Sequence, residues 1–484
     1  MASLNNKPHV VVLGGNFAGL GSAQKIRQYA KDAVEITVVD RKDFLLFVPN
    51  IPADVFENRD PALHQRMELR SVLADDQIQF IQADVQAIDV ESKTIDILPN
   101  ERPGAAKQTL SYDYLVVALG NRLAFDEIEG FAKFGDSVTD LYLGEKLRQK
   151  LHFGGYKGGP IAIGSARFSQ GDGAVGLAPY PGGSIPMAQA ACEGPPVELM
   201  MAAATYLKET QQGDPSKITV FTPADMIAED AGVTVVNQLL GLATKMGFNY
   251  LNNTQDIKRL TADGIEFADG RSVAAELKIV FPNWKAHPFM RGLPISDSEG
   301  FVITDLLMRN PKYPTVFAAG DAAAVTMPKL GAIGHQECDI VGRQIAKDVG
   351  MMSAEQADQP LKPIVYCLGD MGDGKAFYIR SNTWFGGDTA VLKMGHVPYM
   401  LKMQYRTLFM QLKGKVPGWS SPRLWWHPPP RPRQLWLPRR RWIPQRRLRW
   451  LWVQPVNKPI KIVMLAKMTP FIFIRLALSV QRSQ

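Results

Sequence analysis

The first forty residues constrain the chain most. His9-Val-Val-Val-Leu13 has the composition of a buried strand, Gly14-Gly15-Asn16-Phe17-Ala18-Gly19 follows, and a helical pattern then runs through Tyr29. A second strand pattern, Glu35 to Val39, ends at Asp40. This is the βαβ unit of a dinucleotide fold. Its glycines allow a tight turn and close helix–strand packing, the helix N-terminus faces a pyrophosphate, and the acid about 20 residues on holds ribose hydroxyls. Asn16 occupies the place of the usual middle glycine. A packing turn alone is the bland alternative, but strand, helix, strand and acid in register predict a nucleotide.

Composition sets the frame around this unit. With 484 residues, 46% hydrophobic, the chain has room for two or three domains and a large core. Its 21% charged residues, 41 Gly and 34 Pro exclude collagen-like, coiled-coil and wholly disordered readings. Three cysteines exclude a disulfide-stapled scaffold. The net charge of +8 is uneven: no acid follows Asp388, and the last 96 residues hold 19 of the 55 basic residues. An acidic body therefore carries a basic tail. Met1 to His9 lacks an apolar signal core, and Lys467 and Arg475 break the one long apolar run, Ile462 to Val480. Neither export nor a membrane span is expected.

Two later segments specify the nucleotide. Tyr112 to Gly120 reads as a strand ending in Ala118-Leu119-Gly120, and Thr315 to Asp321 as a strand ending in Gly320-Asp321. Here the chain resembles the flavoproteins with two dinucleotide domains, disulfide reductases and type II NADH dehydrogenases among them. That resemblance implies FAD beside the first strand end and the Asp321 carboxylate on its ribityl chain. A second fingerprint, for NADH, is lost. The strand Gly159 to Gly164 continues as Ser165-Ala166-Arg167-Phe168-Ser169, without the further glycines, into a Gly/Pro-rich stretch to about Pro186. The next strand, Ile218 to Phe221, ends at Thr222-Pro223 with no acid. The second domain is expected to persist as architecture without nicotinamide.

None of the three thiols forms C-x-x-C or a zinc-type spacing. Cys338, on an apparent helix, reads as a small buried hydrophobe. Cys192 precedes Gly194-Pro195-Pro196, a helix start, where free N–H groups and the dipole favour thiolate. Cys367 lies on a strand running into a polar Gly turn.

These two settings resemble the sulfide:quinone oxidoreductases, relatives of the flavocytochrome c sulfide dehydrogenases, over roughly residues 9 to 418. The shared segments are Cys192-x-Gly-Pro-x-x-Glu198, Cys367-x-x-Asp370-Met-Gly, Phe47-Val-Pro49, Pro328-Lys329-x-Gly331 and Lys402-Met-Gln-Tyr405 with Leu408-Phe409. The resemblance implies that Cys192 and Cys367 meet on one flavin face and are bridged by sulfur. Hydrosulfide attacks at Cys192, Glu198 accepts a proton, and Cys367 passes electrons to the flavin. Quinone takes them at the opposite face, where Lys402 stabilises negative charge. FAD is assigned to Gly14, Gly15, Asn16, Gly19, Asp40, Arg41, Val85, Ala118, Gly120, Gly320, Asp321, Lys329 and Gly331. A third family cysteine is missing near Ser137 to Leu141, so FAD is expected to be noncovalent; family histidines there and near Glu229 and Asp230 are missing too.

Val397 to Lys413 is amphipathic and suits a helix in the lipid interface, with packing on the protein's own core as the alternative. From Trp419 the composition shifts: residues 419–452 hold seven of nine tryptophans and nine arginines. Lipid or nucleic-acid binding is one reading; a shifted reading frame beyond about residue 420 is preferred, because Trp, Arg and Pro all have GC-rich codons. No nucleic-acid partner is expected.

The expected architecture is α/β, two Rossmann-like domains with a C-terminal membrane-facing segment. Residues 1–130 plus 295–355 form the FAD domain, 131–294 the degenerate second domain, 356–418 the redox and membrane-facing region, and 419–484 the anomalous tail. The expected function is sulfide oxidation with electrons passed to quinone, by a peripheral protein of a prokaryotic inner membrane. A homo-oligomer is admitted by family analogy alone. A type II NADH:quinone oxidoreductase is the nearest rival, followed by a flavocytochrome c subunit and a flavin-binding protein without turnover.

Overall fold

The computed structural model describes residues 7–175, 177 and 185–415. The basic tail at 419–484 and part of the Gly/Pro-rich stretch lie outside the described residues. The chain begins with β1 (His9–Leu13), α1 (Phe17–Ala30), β2 (Glu35–Asp40), β3 (Gln79–Asp89), β4 (Thr94–Pro99), β5 (Gln108–Ser111) and β6 (Tyr114–Val117). It continues with β7 (Ile161–Ser165), α2 (Gly194–Glu209), β8 (Ile218–Phe221), α3 (Val233–Met246), β9 (Asn249–Leu251) and β10 (Leu277–Phe281). Then come β11 (Val316–Ala318), α4 (Gly331–Asp348), β12 (Val365–Gly372), β13 (Lys375–Ser381), β14 (Ala390–Gly395) and α5 (His396–Gln411).

The first sheet runs β11-β6-β1-β2-β3-β4-β5. Its β11, β6, β1, β2 and β3 are parallel, while β4 and β5 return antiparallel as an excursion. Val10, Val11, Val12 and Leu13 are fully buried, as an apolar run covered on both faces of a parallel sheet must be. On one face α1 crosses α4, where small residues allow close approach: a methyl on Gly342 would fall 2.7 Å from Lys25 Cβ. The second sheet, β9-β8-β7-β10, is parallel throughout. The predicted strands at 159–164 and 218–221 appear here as its central pair, with Ile161 opposite Ile218.

A third, antiparallel sheet of β12, β13 and β14 leads into α5. Strand β12 carries Cys367, paired with Ile379, and packs along α2. The helix predicted at 397–413 is α5, but its inward stripe meets protein. Lys402 and Phe409 are buried, with Phe409 between Phe17 and Phe47 at centroid distances of 5.2 Å. Burying that ring against Phe17 of α1 and Phe47 removes it from any lipid contact. Val397 and Met400 are left 63% and 59% exposed. No described helix is long and apolar enough to cross a membrane.

Gly19 sets the approach of α1 to the first turn, because a Cβ there would lie 1.8 Å from the Gly14 carbonyl oxygen. Gly19→Ala is expected to cost about 1–3 kcal/mol by overpacking and to lower the flavin-to-protein ratio. Urea unfolding and the visible spectrum of the purified variant check both.

Candidate active site

The carboxyl ends of β1, β6 and β11 lie side by side, with Leu13 opposite Val117 and Val117 opposite Ala318. Gly14-Gly15-Asn16, Ala118-Leu119-Gly120 and Gly320-Asp321 therefore share one sheet edge, where open α/β sheets bind ligands. Gly14 has φ +104° and fits because a Cβ would strike the Ala118 carbonyl at 2.1 Å. Gly15 N–H donates to Asp40 Oδ2 at 2.6 Å, and Asp40 Oδ1 accepts from Lys42 N, so this acid braces the turn. Arg41 follows it, and its carbonyl accepts from Gln82 and Asn100. Val85 lies on β3 opposite Ile97, past the pairing with β2.

The crevice fits a dinucleotide. Asn16 begins α1 without a capping bond, and its buried Oδ1 has no hydrogen-bond partner among the described residues. Open space surrounds Gly120 and Gly331, where side chains would otherwise intrude. Gly331 is the first residue of the eighteen-residue α4, whose N-terminus favours negative charge. Asp321 accepts from Asn121 Nδ2 at 2.7 Å. Burial pushes its carboxyl up, opposed by the Lys329 charge. Lys329 is buried, donates to the Ala323 carbonyl at 2.9 Å and lies 4.0 Å over the Phe301 ring. Desolvation lowers it to about 8. Sequence reasoning missed Glu337, which accepts from Gly320 N and Thr326 Oγ1 and holds the Gly-Asp turn.

The segments Phe47-Val-Pro49, Lys402 to Tyr405 and Leu408-Phe409 converge. Phe47 lies 5.8 Å from Tyr405 and 5.2 Å from Phe409, ring centre to ring centre. His335, on α4, joins the group at 5.9 Å from Phe17, and burial lowers it to about 4, which keeps the imidazole neutral.

The cysteines separate into two settings. Cys192 is 7% exposed and precedes α2. Cys367 is half-buried, and a methyl on Gly194 would lie 3.2 Å from its sulfur. The second thiol thus sits on the first turn of α2, beside the residues that follow the first. One turn on, Glu198 forms a buried ion pair with Lys402 of α5. Lys402 therefore stands on the Glu198 side of this cluster. Cys338 lies elsewhere, wedged between α1 and α4, with its thiol donating to the Ala18 carbonyl at 3.1 Å.

The charge balance corrects one expectation. A helix N-terminus was expected to favour the Cys192 thiolate. The Gly194 N–H does act in that direction, but desolvation comes first and the Asp230 carboxylate second, so the thiol is pushed well up. Cys367 is pushed up to about 12 by burial, then by Glu198 and Asp230, against Lys402. Loss of hydration in a dry site outweighs the partial charge of the helix end, and the neighbouring carboxyls act in the same direction as burial. Asp230 was missed because it lies 38 residues from Cys192 in sequence and reaches both thiols only through the fold.

Two carboxyl contacts place it. Glu193 Oε2 accepts from Ala228 N at 2.8 Å, and Glu229 Oε1 accepts from Gln189 N at 2.9 Å. They strap the Cys192 loop to the turn bearing Asp230. Among the described residues, no compact turn for a nucleotide follows β7: residues 166–193 separate β7 from α2 in sequence, and Glu193 occupies the helix N-cap.

Burial raises Glu193 to about 8 and Asp230 to about 7 from ordinary values of 4.5 and 3.8. Folded-state proton binding thus exceeds that of the unfolded chain between those values. The associated stability is present below the unfolded values and is lost as pH rises through about 7 and about 8. Glu193→Gln should reduce the fall in urea midpoint between pH 5 and pH 9; an unchanged fall would contradict this assignment. Cys338→Ala is expected to keep the flavin spectrum and to cost about 1 kcal/mol for the lost packing, measured by the same unfolding series.

The pyridine nucleotide-disulphide oxidoreductase profile matches residues 8–167. The NADH dehydrogenase-like protein of Mycobacterium tuberculosis is 27% identical over 390 residues, 76% of this chain and 87% of that one. The sulfide-quinone reductase of Aquifex aeolicus is 22% identical over 429 residues, 83% and 90% of the two chains. The X-ray structure of the Aquifex aeolicus sulfide:quinone oxidoreductase superposes with a TM-score of 0.69 at 20% identity, covering 84% of this chain and 91% of that one. The profile match takes in the fingerprint turn and the strand end at 118–120, so residues 8–167 match a dinucleotide-binding unit of the pyridine nucleotide-disulphide oxidoreductase type, and the superposed structure shares the fold.

Proposed function

We propose that the protein oxidises sulfide to zero-valent sulfur or polysulfide and passes the electrons to a quinone. The observation that carries this reading is the meeting of Cys367 with the first turn of α2 beside Cys192, over the Glu198–Lys402 pair. The similarity to sulfide-quinone reductases over most of the chain supports it.

Hydrosulfide attacks the Cys192 sulfur of the oxidised pair, in which the two cysteines are joined directly as a disulfide. The bridge breaks, Cys192 keeps the incoming sulfur as a persulfide, and Cys367 leaves as a thiolate. Burial, Glu198 and Asp230 all disfavour that thiolate, while Lys402 opposes them, so Cys367 is poised to lose its charge by reacting onward. Glu198 is raised by burial and held by Lys402, which suits it to accept and return the hydrosulfide proton. Bound FAD supplies the two-electron acceptor between sulfur and quinone. Gly14 to Asn16, Gly120, Asp321, Lys329 and Gly331 would hold it, noncovalently because no cysteine lies at 137–141. Exposed Val397 and Met400 at the start of α5 offer a peripheral lipid contact, through which quinone is reached.

The rival reading, NADH:quinone chemistry, is favoured by the Mycobacterium tuberculosis relative. The twenty-eight residues between β7 and α2 and the Glu193 carboxyl at the helix N-cap weigh against it.

Cys192→Ser and Cys367→Ser should each abolish sulfide-dependent quinone reduction while retaining flavin, and Glu198→Gln should slow it about 100-fold. Unchanged turnover in either serine variant would overturn the reading. Acid denaturation should release all flavin into the supernatant; flavin retained on the polypeptide would refute noncovalent binding.

A further inference from the structure

A cavity of about 290 Å³ opens beside the cysteine cluster, between the short helix Ile51–Phe56, α2, β12 and the first turn of α5. Its walls carry Glu57, Glu209, Asp373, Tyr206 and Tyr399, and Asp370 lies among them. Glu57, Glu209 and Asp373 are exposed, so the cavity meets solvent, whereas Asp370 is only 2% exposed. Asp370 stands three residues beyond Cys367 on β12, and the chemistry above gives it no role. Its Oδ1 accepts from Gly372 N at 2.7 Å. Its Oδ2 is buried and has no hydrogen-bond partner among the described residues. An orphaned carboxylate oxygen bordering a wet cavity is expected to bind water there.

Asp370 also faces inward. Its backbone and its charge both act on Glu198, as Glu198 in turn acts on Cys367. On the solvent side the Asp370 charge reaches Glu57 and Tyr399. From the cavity inward the groups run from solvent to sulfur: Glu57, with Arg59 beside it, and Asp370 at the wall, then the Glu198–Lys402 pair and Cys367 beyond it.

We propose that this cavity is a proton-exchange well and that Asp370 relays protons between its water and the buried Glu198–Lys402 pair. The inference rests on the sulfide:quinone reading for the origin of the protons. Hydrosulfide releases two electrons and one proton as it becomes zero-valent sulfur, and quinone takes up two electrons and two protons. Each turnover thus draws one net proton from solvent, and the proton freed at sulfur must leave a dry site. This cavity borders Asp370, which links it to the sulfur cluster. Asp370 neither touches sulfur nor binds flavin in this account; it is a positioning and relay group acting through Glu198.

The test uses the full-length holoenzyme. Asp370→Asn should retain its flavin spectrum and lower sulfide:quinone turnover by about 100-fold, the usual scale for loss of a proton-transfer group. Formate or imidazole, small enough for the cavity, should restore a large part of the rate. Glu57→Gln, at the exposed rim, guards against a folding defect and should slow turnover several-fold in weak buffer but not in strong buffer. Wild-type rates in both variants, or a loss in Asp370→Asn that no small acid or base repairs, would overturn the relay. A second readout does not depend on turnover: exchange of the Cys367 S–H to S–D in the reduced protein, followed by infrared after mixing with D₂O. That exchange should slow in Asp370→Asn, and an equal rate would sink the relay. A wild-type protein inert to sulfide would defeat the functional reading, leaving the exchange rate to judge the relay.

Discussion

The junction at Gly194 governs the rest of the active site. Helix α2 follows the second sheet's β7 and strand β12 belongs to the antiparallel sheet, and the missing side chain at residue 194 lets Cys367 approach the helix's first turn closely, since a Cβ there would lie 3.2 Å from its sulfur. Two thiols 175 positions apart are thereby brought to the same helix end. The same packing buries Glu198 and calls for Lys402 as its partner, since an unpaired carboxylate in that place would be costly. The α5 helix is consequently pinned inward, and its Tyr405 and Phe409 close an aromatic group against Phe17 and Phe47 beside the flavin turn.

In the proposed reading the second sheet is a scaffold rather than a nucleotide site. Its strands keep the parallel order of a nucleotide domain, but the helix that would face a pyrophosphate begins with a buried acid. Glu193 and Glu229 turn that helix end into a strap between two loops, one bearing Cys192 and the other Asp230. Under the proposed function, carboxyls at this helix end take the place of a phosphate site and the sheet serves to hold a thiol. The acid-rich surroundings also explain why the thiols are pushed up: desolvation and three nearby carboxylates oppose a single buried ammonium.

Much of this was legible from local pattern. The β1–α1–β2 unit, the strands at 114–117 and 316–318, the two central strands of the second sheet and the helix after Cys192 follow from hydrophobic period and turn residues, which act over a few positions. The pairing of Cys192 with Cys367 came from resemblance, because no local rule joins residues so distant. What the sequence hid depended on burial. The sign of the Cys192 shift was misjudged because the helix end is visible in sequence, whereas desolvation and Asp230 are visible only in space. For α5, amphipathic spacing identifies a buried stripe without saying what buries it; Lys402 and Phe409 meet protein, while Val397 and Met400 stay exposed.

The most direct test of the central claim is an anaerobic visible titration of the purified full-length protein, with sulfide and separately with NADH. The account predicts that sulfide bleaches the flavin band, that a soluble quinone restores it, and that NADH leaves it unchanged. Bleaching by NADH with no response to sulfide would contradict the account and return the chain to nicotinamide chemistry.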